Sequence, residues 1–260
     1  MRNGKPAASI VLADTPTRAA QFAAAELQYH VEKITGAVLH ILTNAAGVTG
    51  VCVFVGESGA TRALGLKNEG FSPQEYLISF RKEGLILMGR DKEDRGKLNY
   101  AKPQTFPDGF DDQGTCYAVY DFLERYCGVR WYLPTDLGLV YTPAKTLVVG
   151  GPDVRRQPFM WHRLMSSEMR IPADLCGDTV EGEKQPLLDR REALLWSRRN
   201  RWAASPTGAT IHYTGILTGS GRRTPKNLTF LKAHIRSGLP KDTKTRSRGM
   251  FMDGFHRKKA

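Results

Sequence analysis

Asp121 and Glu124 stand three residues apart in a helix-forming run, and Asp136 follows twelve residues later. Two carboxyl groups held about 5 Å or about 6.5–9.5 Å apart can cleave a glycosidic bond by acid–base or nucleophilic chemistry. A single helical turn between Asp121 and Glu124 instead suits solvent-facing or interface ion pairing. No catalytic residue is assigned on this basis. Tyr100, Phe106 and Phe110 sit in a polar stretch as exposed loop aromatics, able to stack on sugar rings or to plug an interface. Of the four cysteines, Cys116 and Cys127 fall on one helix about 16 Å apart, too far for a disulfide. Together with Cys52 and Cys176 they read as small hydrophobes. Neither a glycine-rich phosphate loop nor clustered histidines are present, so no cofactor and no metal are expected.

The elements that hold these residues alternate between strand and helix. Ser9 to Ala13 is a short aliphatic strand, and Thr15-Pro16-Thr17 opens a helix that a threonine side chain can cap. Ala20, Ala23, Leu27, Val31 and Ile34 recur at three- and four-residue steps, and Gly36 supplies the left-handed stop. Each large side chain on such a stripe stabilises by about 1.5–3 kcal/mol when buried, which demands a sheet beneath it. Val38 to Leu42 and Val51 to Val55 follow as strands, the second apolar on both faces and suited to a central place. A short helical stretch runs to Leu64. Tyr76 to Phe80 and Leu85 to Met88 flank Arg81-Lys82-Glu83-Gly84 as a hairpin.

Asp91 to Gln113 reads as a long polar loop, and loops of that length are often functional. Gly114 to Tyr126 is a second helix with an aromatic face, stopped by Gly128. Val129 to Tyr132, Leu139 to Tyr141 and Thr146 to Val149 are short strands, and Asp153 to Pro158 resembles a linker. The fold class is α+β, a mixed sheet with helices packed on one face.

The formal net charge of +12 is unevenly distributed. From Ala203 to Ala260 twelve lysines and arginines face only Asp242 and Asp253, leaving the preceding residues near neutral. No apolar run reaches the roughly 18–20 residues of a membrane span, and no signal peptide is visible at Met1-Arg2-Asn3-Gly4-Lys5.

Several separated motifs then form an ordered set: Ala24-Ala25-Glu26-Leu27-Gln28-Tyr29, Ile34-Thr35-Gly36, Gly89-Arg90-Asp91, Gly114 to Arg125, and Gly128-Val129-Arg130-Trp131-Tyr132-Leu133-Pro134. Over about Lys5 to Trp202 the chain resembles the N-terminal domain of α-glucuronidases and domain 2 of family 20 β-hexosaminidases. It also resembles a bacterial family of unknown function in which this domain precedes a (β/α)8 barrel. The resemblance implies a hexosaminidase domain-2-like sandwich over 1–157 and the first elements of an incomplete barrel over 158–202.

In such proteins the module stands beside the barrel and does not cleave the bond; the alternative is a stand-alone carbohydrate-binding or scaffolding module. The acid sits on a later barrel strand, and this chain has none. Phe159-Met160-Trp161-His162-Arg163 resembles the lead into the first barrel strand. Arg163 then falls where relatives hold a sugar hydroxyl, with Trp161 as a stacking face. The alternative is an arginine paired at a domain interface. Trp196 to Trp202 resembles the helix that follows that strand. The implied partner is carbohydrate, reached through the parent's barrel, and the implied location of the parent is secreted or periplasmic.

Residues 203–260 break the pattern, with no glutamate and no sustained apolar period. A basic tail of this kind matches nucleic-acid binders in composition. A frame change near Trp202 explains it equally well. Reverse-translated and read from the third base of each codon, Ala203 to Gly221 permits GEPYGCNHPLYGYFDRFW, and Phe230 to Asp242 permits FEGTHPEWFAKGY. Both strings look like the family's barrel. The tail is therefore expected to be disordered and out of frame, with no specific nucleic acid as partner. Limited proteolysis is expected to leave a core of residues 1 to about 157.

Overall fold

The computed structural model describes residues 1–46, 48, 50–160, 163 and 190–203. Cys176 and the expected disorder of the tail beyond 203 lie outside the described residues.

The chain opens with β1 (Ala8–Val11) and α1 (Arg18–Thr35), then β2 (His40–Leu42) and β3 (Val51–Val55). A short α2 (Gly59–Ala63) precedes the hairpin of β4 (Tyr76–Arg81) and β5 (Gly84–Gly89). After the long loop come α3 (Gly114–Tyr126), β6 (Arg130–Trp131), β7 (Leu139–Val140), β8 (Val154–Arg156) and α4 (Arg190–Arg199). Six strands form one sheet in the order β2-β1-β3-β5-β4-β8. The first four run parallel, while β4 and β8 are antiparallel to their neighbours. This is the mixed α+β sheet, with β3 in the interior.

Strand alternation divides the core into two. Ile10, Val53, Val55, Ile78, Leu85 and Leu87 face α1 and α3, whereas Val11, Phe54, Leu77, Ile86 and Met88 face Phe71 on the other side. Both long helices thus share one face of the sheet. Thr17 caps α1, its hydroxyl accepting from the Ala20 N–H at 3.1 Å, and Gly36 closes it at φ 73°. The whole expected stripe from Ala20 to Ile34 is buried.

Two expectations are corrected. Thr146 to Val149 forms no strand. Its neighbourhood bonds instead to the start of the chain, through Gly4 N–H to the Lys145 carbonyl and Leu147 N–H to the Met1 carbonyl. Asp153 to Pro158 is not merely a linker, because Val154–Arg156 adds β8 to the sheet edge beside β4. Polar residues are at home there: one edge of the strand and much of its side-chain surface meet water, so apolar alternation is not required.

Gly114 has no room for a side chain. A Cβ there would lie 2.4 Å from the Glu75 carbonyl oxygen and 2.6 Å from the Arg90 nitrogen. Its own N–H donates to the Arg90 carbonyl at 2.6 Å. Gly114→Ala is therefore expected to lower unfolding free energy by about 1–3 kcal/mol, measured by urea denaturation. An unchanged midpoint and slope would contradict this close approach.

Candidate functional site

α1 is buried on a second side as well, along Phe22, Glu26 and His30, spaced four residues apart. Over this line lie Tyr100 and Phe106 from the long loop, Trp131 from β6, and α4. Phe22 meets Phe106 at 4.8 Å and Tyr100 at 5.9 Å between ring centroids. This corrects the expectation of exposed loop aromatics: Phe106 is core, Tyr100 is partly buried against it, and only Phe110 is exposed. An apolar ring in a polar loop finds its burial on Phe22 rather than in solvent.

The centre of this layer is ionic. Arg199 grips Glu26 with both forks, Nε to Oε2 at 2.8 Å and Nη2 to Oε1 at 3.0 Å. The Tyr100 hydroxyl donates to the same carboxylate. Glu26 is fully buried. Burial pushes its pKa up, but the Arg199 guanidinium outweighs that, with the Tyr100 hydroxyl helping, and holds it down to about 2. Beside it, His30 Nδ1–H donates to the Glu26 carbonyl at 2.7 Å, and Nε2 accepts from Trp131 Nε1–H at 2.9 Å. The indole donor fixes this neutral tautomer, and burial lowers the imidazole pKa. The Trp131 carbonyl in turn accepts from Trp196 Nε1–H at 3.0 Å and Asn200 Nδ2 at 3.3 Å. Arg198 donates to the Gln113 side chain at 3.0 Å and to the Pro107 carbonyl. The run Trp196 to Asn200 is thereby stitched to α1, β6 and the long loop.

A second feature is an open cleft of about 660 Å³ between β8, the end of α3 and residues 200–201. Arg125, Arg130, Arg156, Arg163 and Arg201 line it, with Asp121 and Glu124. Asp121 is held by Arg125 at 2.8 Å, and Glu124 by Arg201. Asp136 pairs with Lys33 at 3.2 Å, away from this cleft. All three sequence carboxylates are thus engaged by cations. Arg163 pairs by backbone with Ala203, which is buried. Its Nε donates to the Arg201 carbonyl at 2.9 Å and its Nη1 to the Met160 carbonyl at 2.5 Å. Its guanidinium stands 5.5 Å from the centre of the Tyr117 ring. Trp161 lies outside the described residues.

Sequence reasoning missed the roles of Glu26, His30, Arg156 and Arg199. The available signal was the acid–base mismatch: Arg198, Arg199 and Arg201 crowd together with no local acid, so their partners had to come from elsewhere in the chain.

Among the described residues no helix is long and apolar enough to cross a membrane, and no group of histidine, cysteine or carboxylate side chains is placed to hold a metal. No family model matches the sequence, and no curated protein matches it. Among solved structures, the chain is similar to a family GH115 4-O-methyl-α-glucuronidase described as specific for decorated arabinogalactans. The identity is 20%, the TM-score 0.48, and the match covers 78% of this chain and 25% of that one. The chain therefore spans about a quarter of that protein's length.

Proposed function

We propose that this chain is the non-catalytic N-terminal module of a glycoside-hydrolase-like protein. In this reading residues 1–157 are the hexosaminidase domain-2-like module and 158–202 open a barrel. Residues 203–260 are an out-of-frame tail, and bond cleavage belongs to the parent's barrel. The observation that carries the reading is how the motif residues are used. Glu26 and Trp131 are buried and bonded to Arg199 and Trp196, Asp91 is buried among threonine donors, and Asp121 is paired with Arg125. The resemblance thus rests on residues that hold elements together, not on an open pair of carboxylates.

Arg163 belongs in this picture as a clasp on the 200–203 backbone, with Nε and Nη1 spent on carbonyls. That supports its interface role over a grip on a sugar hydroxyl.

Glycosidase assays test the proposal directly. No hydrolysis of aryl glycosides or polysaccharides is expected from this chain, and hydrolysis is expected from a longer chain read in the corrected frame. Turnover by this chain alone would overturn the non-catalytic assignment. The frame change is settled by the DNA: third bases that do not spell the two barrel-like strings rule it out.

A further inference from the structure

The two adjacent arginines of β8 go to opposite sides of the sheet, as a strand dictates. Arg155 reaches Glu75 at 2.7 Å and lies 4.6 Å from the centre of the Phe71 ring. Arg156 pairs by backbone with Tyr76 and lines the arginine cleft. It makes no hydrogen bond or ion pair with any other described residue. In that cleft five guanidinium groups meet two carboxylates, both already engaged. Two further nitrogens, Arg163 Nη2 and Arg201 Nη1, are buried and make no well-formed hydrogen bond with a described residue, although the Arg163 guanidinium also lies against Tyr117. A buried charged donor without an acceptor is costly, and a guanidinium fork matches the two oxygens of a carboxylate, phosphate or sulfate. The volume of about 660 Å³ suits a small molecule.

We propose that this cleft binds a small ligand through an oxyanion group, with Arg156, Arg163 and Arg201 as the recognising side chains. Arg156 supplies the free charge at the mouth. Arg201 and Arg163 supply the inner donors, through the nitrogens that their anchoring bonds leave free. The site stands on the cleft itself and does not depend on the module assignment above.

Titration calorimetry of the full chain at low ionic strength provides the test, with citrate as carboxylate probe, inorganic pyrophosphate as phosphate probe and glucose as neutral control. Saturable one-to-one binding of citrate or pyrophosphate is expected, with none for glucose, and the better probe identifies the oxyanion. Arg156→Gln is expected to weaken binding about tenfold or more. This side chain holds nothing else in place, so the fold is left intact. Arg163→Lys keeps the charge but loses the fork, and is expected to weaken binding as well. Because the tail is also basic, a variant with Arg257, Lys258 and Lys259 changed to glutamine serves as the control and is expected to bind as the parent does. Absence of saturable binding, full affinity in Arg156→Gln, or a loss at least as large in the tail variant would each overturn the site.

Discussion

Arg199→Met is expected to lower unfolding free energy by about 3–5 kcal/mol, because it leaves the fully buried Glu26 carboxylate without its cation. The remaining donor, the Tyr100 hydroxyl, does not offset the loss of two charge-assisted bonds. Glu26→Leu alone is expected to be costly too, since it strands the guanidinium. The double variant Glu26→Leu with Arg199→Met is expected to recover much of the loss, because replacing both members of a buried pair by apolar groups is often close to neutral. Urea denaturation of the four proteins at neutral pH gives the cycle, and additive single losses would sink the argument.

The pH dependence carries a second signature of the same pair. In the parent, the folded-state pKa of Glu26 is depressed to about 2. Its stabilising contribution is complete above the ordinary carboxylate value and is lost as pH falls toward 2. In Arg199→Met the burial that raises the pKa is no longer outweighed. The sign then reverses, and this group's contribution is lost as pH rises above the ordinary carboxylate value. Parallel stability profiles for the two proteins would show that Arg199 does not set the state of Glu26.

Much of the first face of this molecule was legible. The three- and four-residue steps from Ala20 to Ile34 fixed the buried side of α1, and Thr17 and Gly36 marked its ends, because capping and periodicity are local properties. The β4–β5 hairpin and the central place of β3 followed from alternation and its absence. The second face of α1 was hidden. Nothing within the helix says whether Glu26 and His30 meet water or Arg199, which lies 173 positions away. The same holds for β8. Val154–Arg156 is too short and too polar to announce a strand, and only pairing with Tyr76 to Ile78 makes it one. The cleft was legible only as separate arginines, since its charge excess arises when β8, the end of α3 and residues 200–201 come together.

Asp91 offers the opposite electrostatic case, and Asp91→Asn is expected to gain stability relative to the parent by about 2 kcal/mol between pH 4 and pH 7. The carboxylate is buried at the junction of two helix starts. Its Oδ1 accepts from the Thr115 N–H at 2.9 Å, while Oδ2 accepts from the Thr115 hydroxyl at 2.7 Å and the Thr17 hydroxyl at 3.0 Å. Those bonds pull the pKa down, yet burial without an ion-paired cation dominates and pushes it up to about 6. Because the folded-state value is raised, the contribution of the protonated group is complete below the ordinary aspartate value. It is lost as pH rises through about 6. Asparagine keeps the carbonyl acceptor for Thr115 N–H and never ionises, so that loss does not occur in the variant. Asp91→Ala is expected to be worse than Asp91→Asn at every pH, since it removes the bridge between the α1 cap and the first turn of α3. Denaturant curves of parent, Asn and Ala proteins at pH 4 and pH 7 measure both effects. If the parent and Asn proteins differ by the same amount at the two pH values, Asp91 does not titrate in this window and the buried junction holds its charge unchanged.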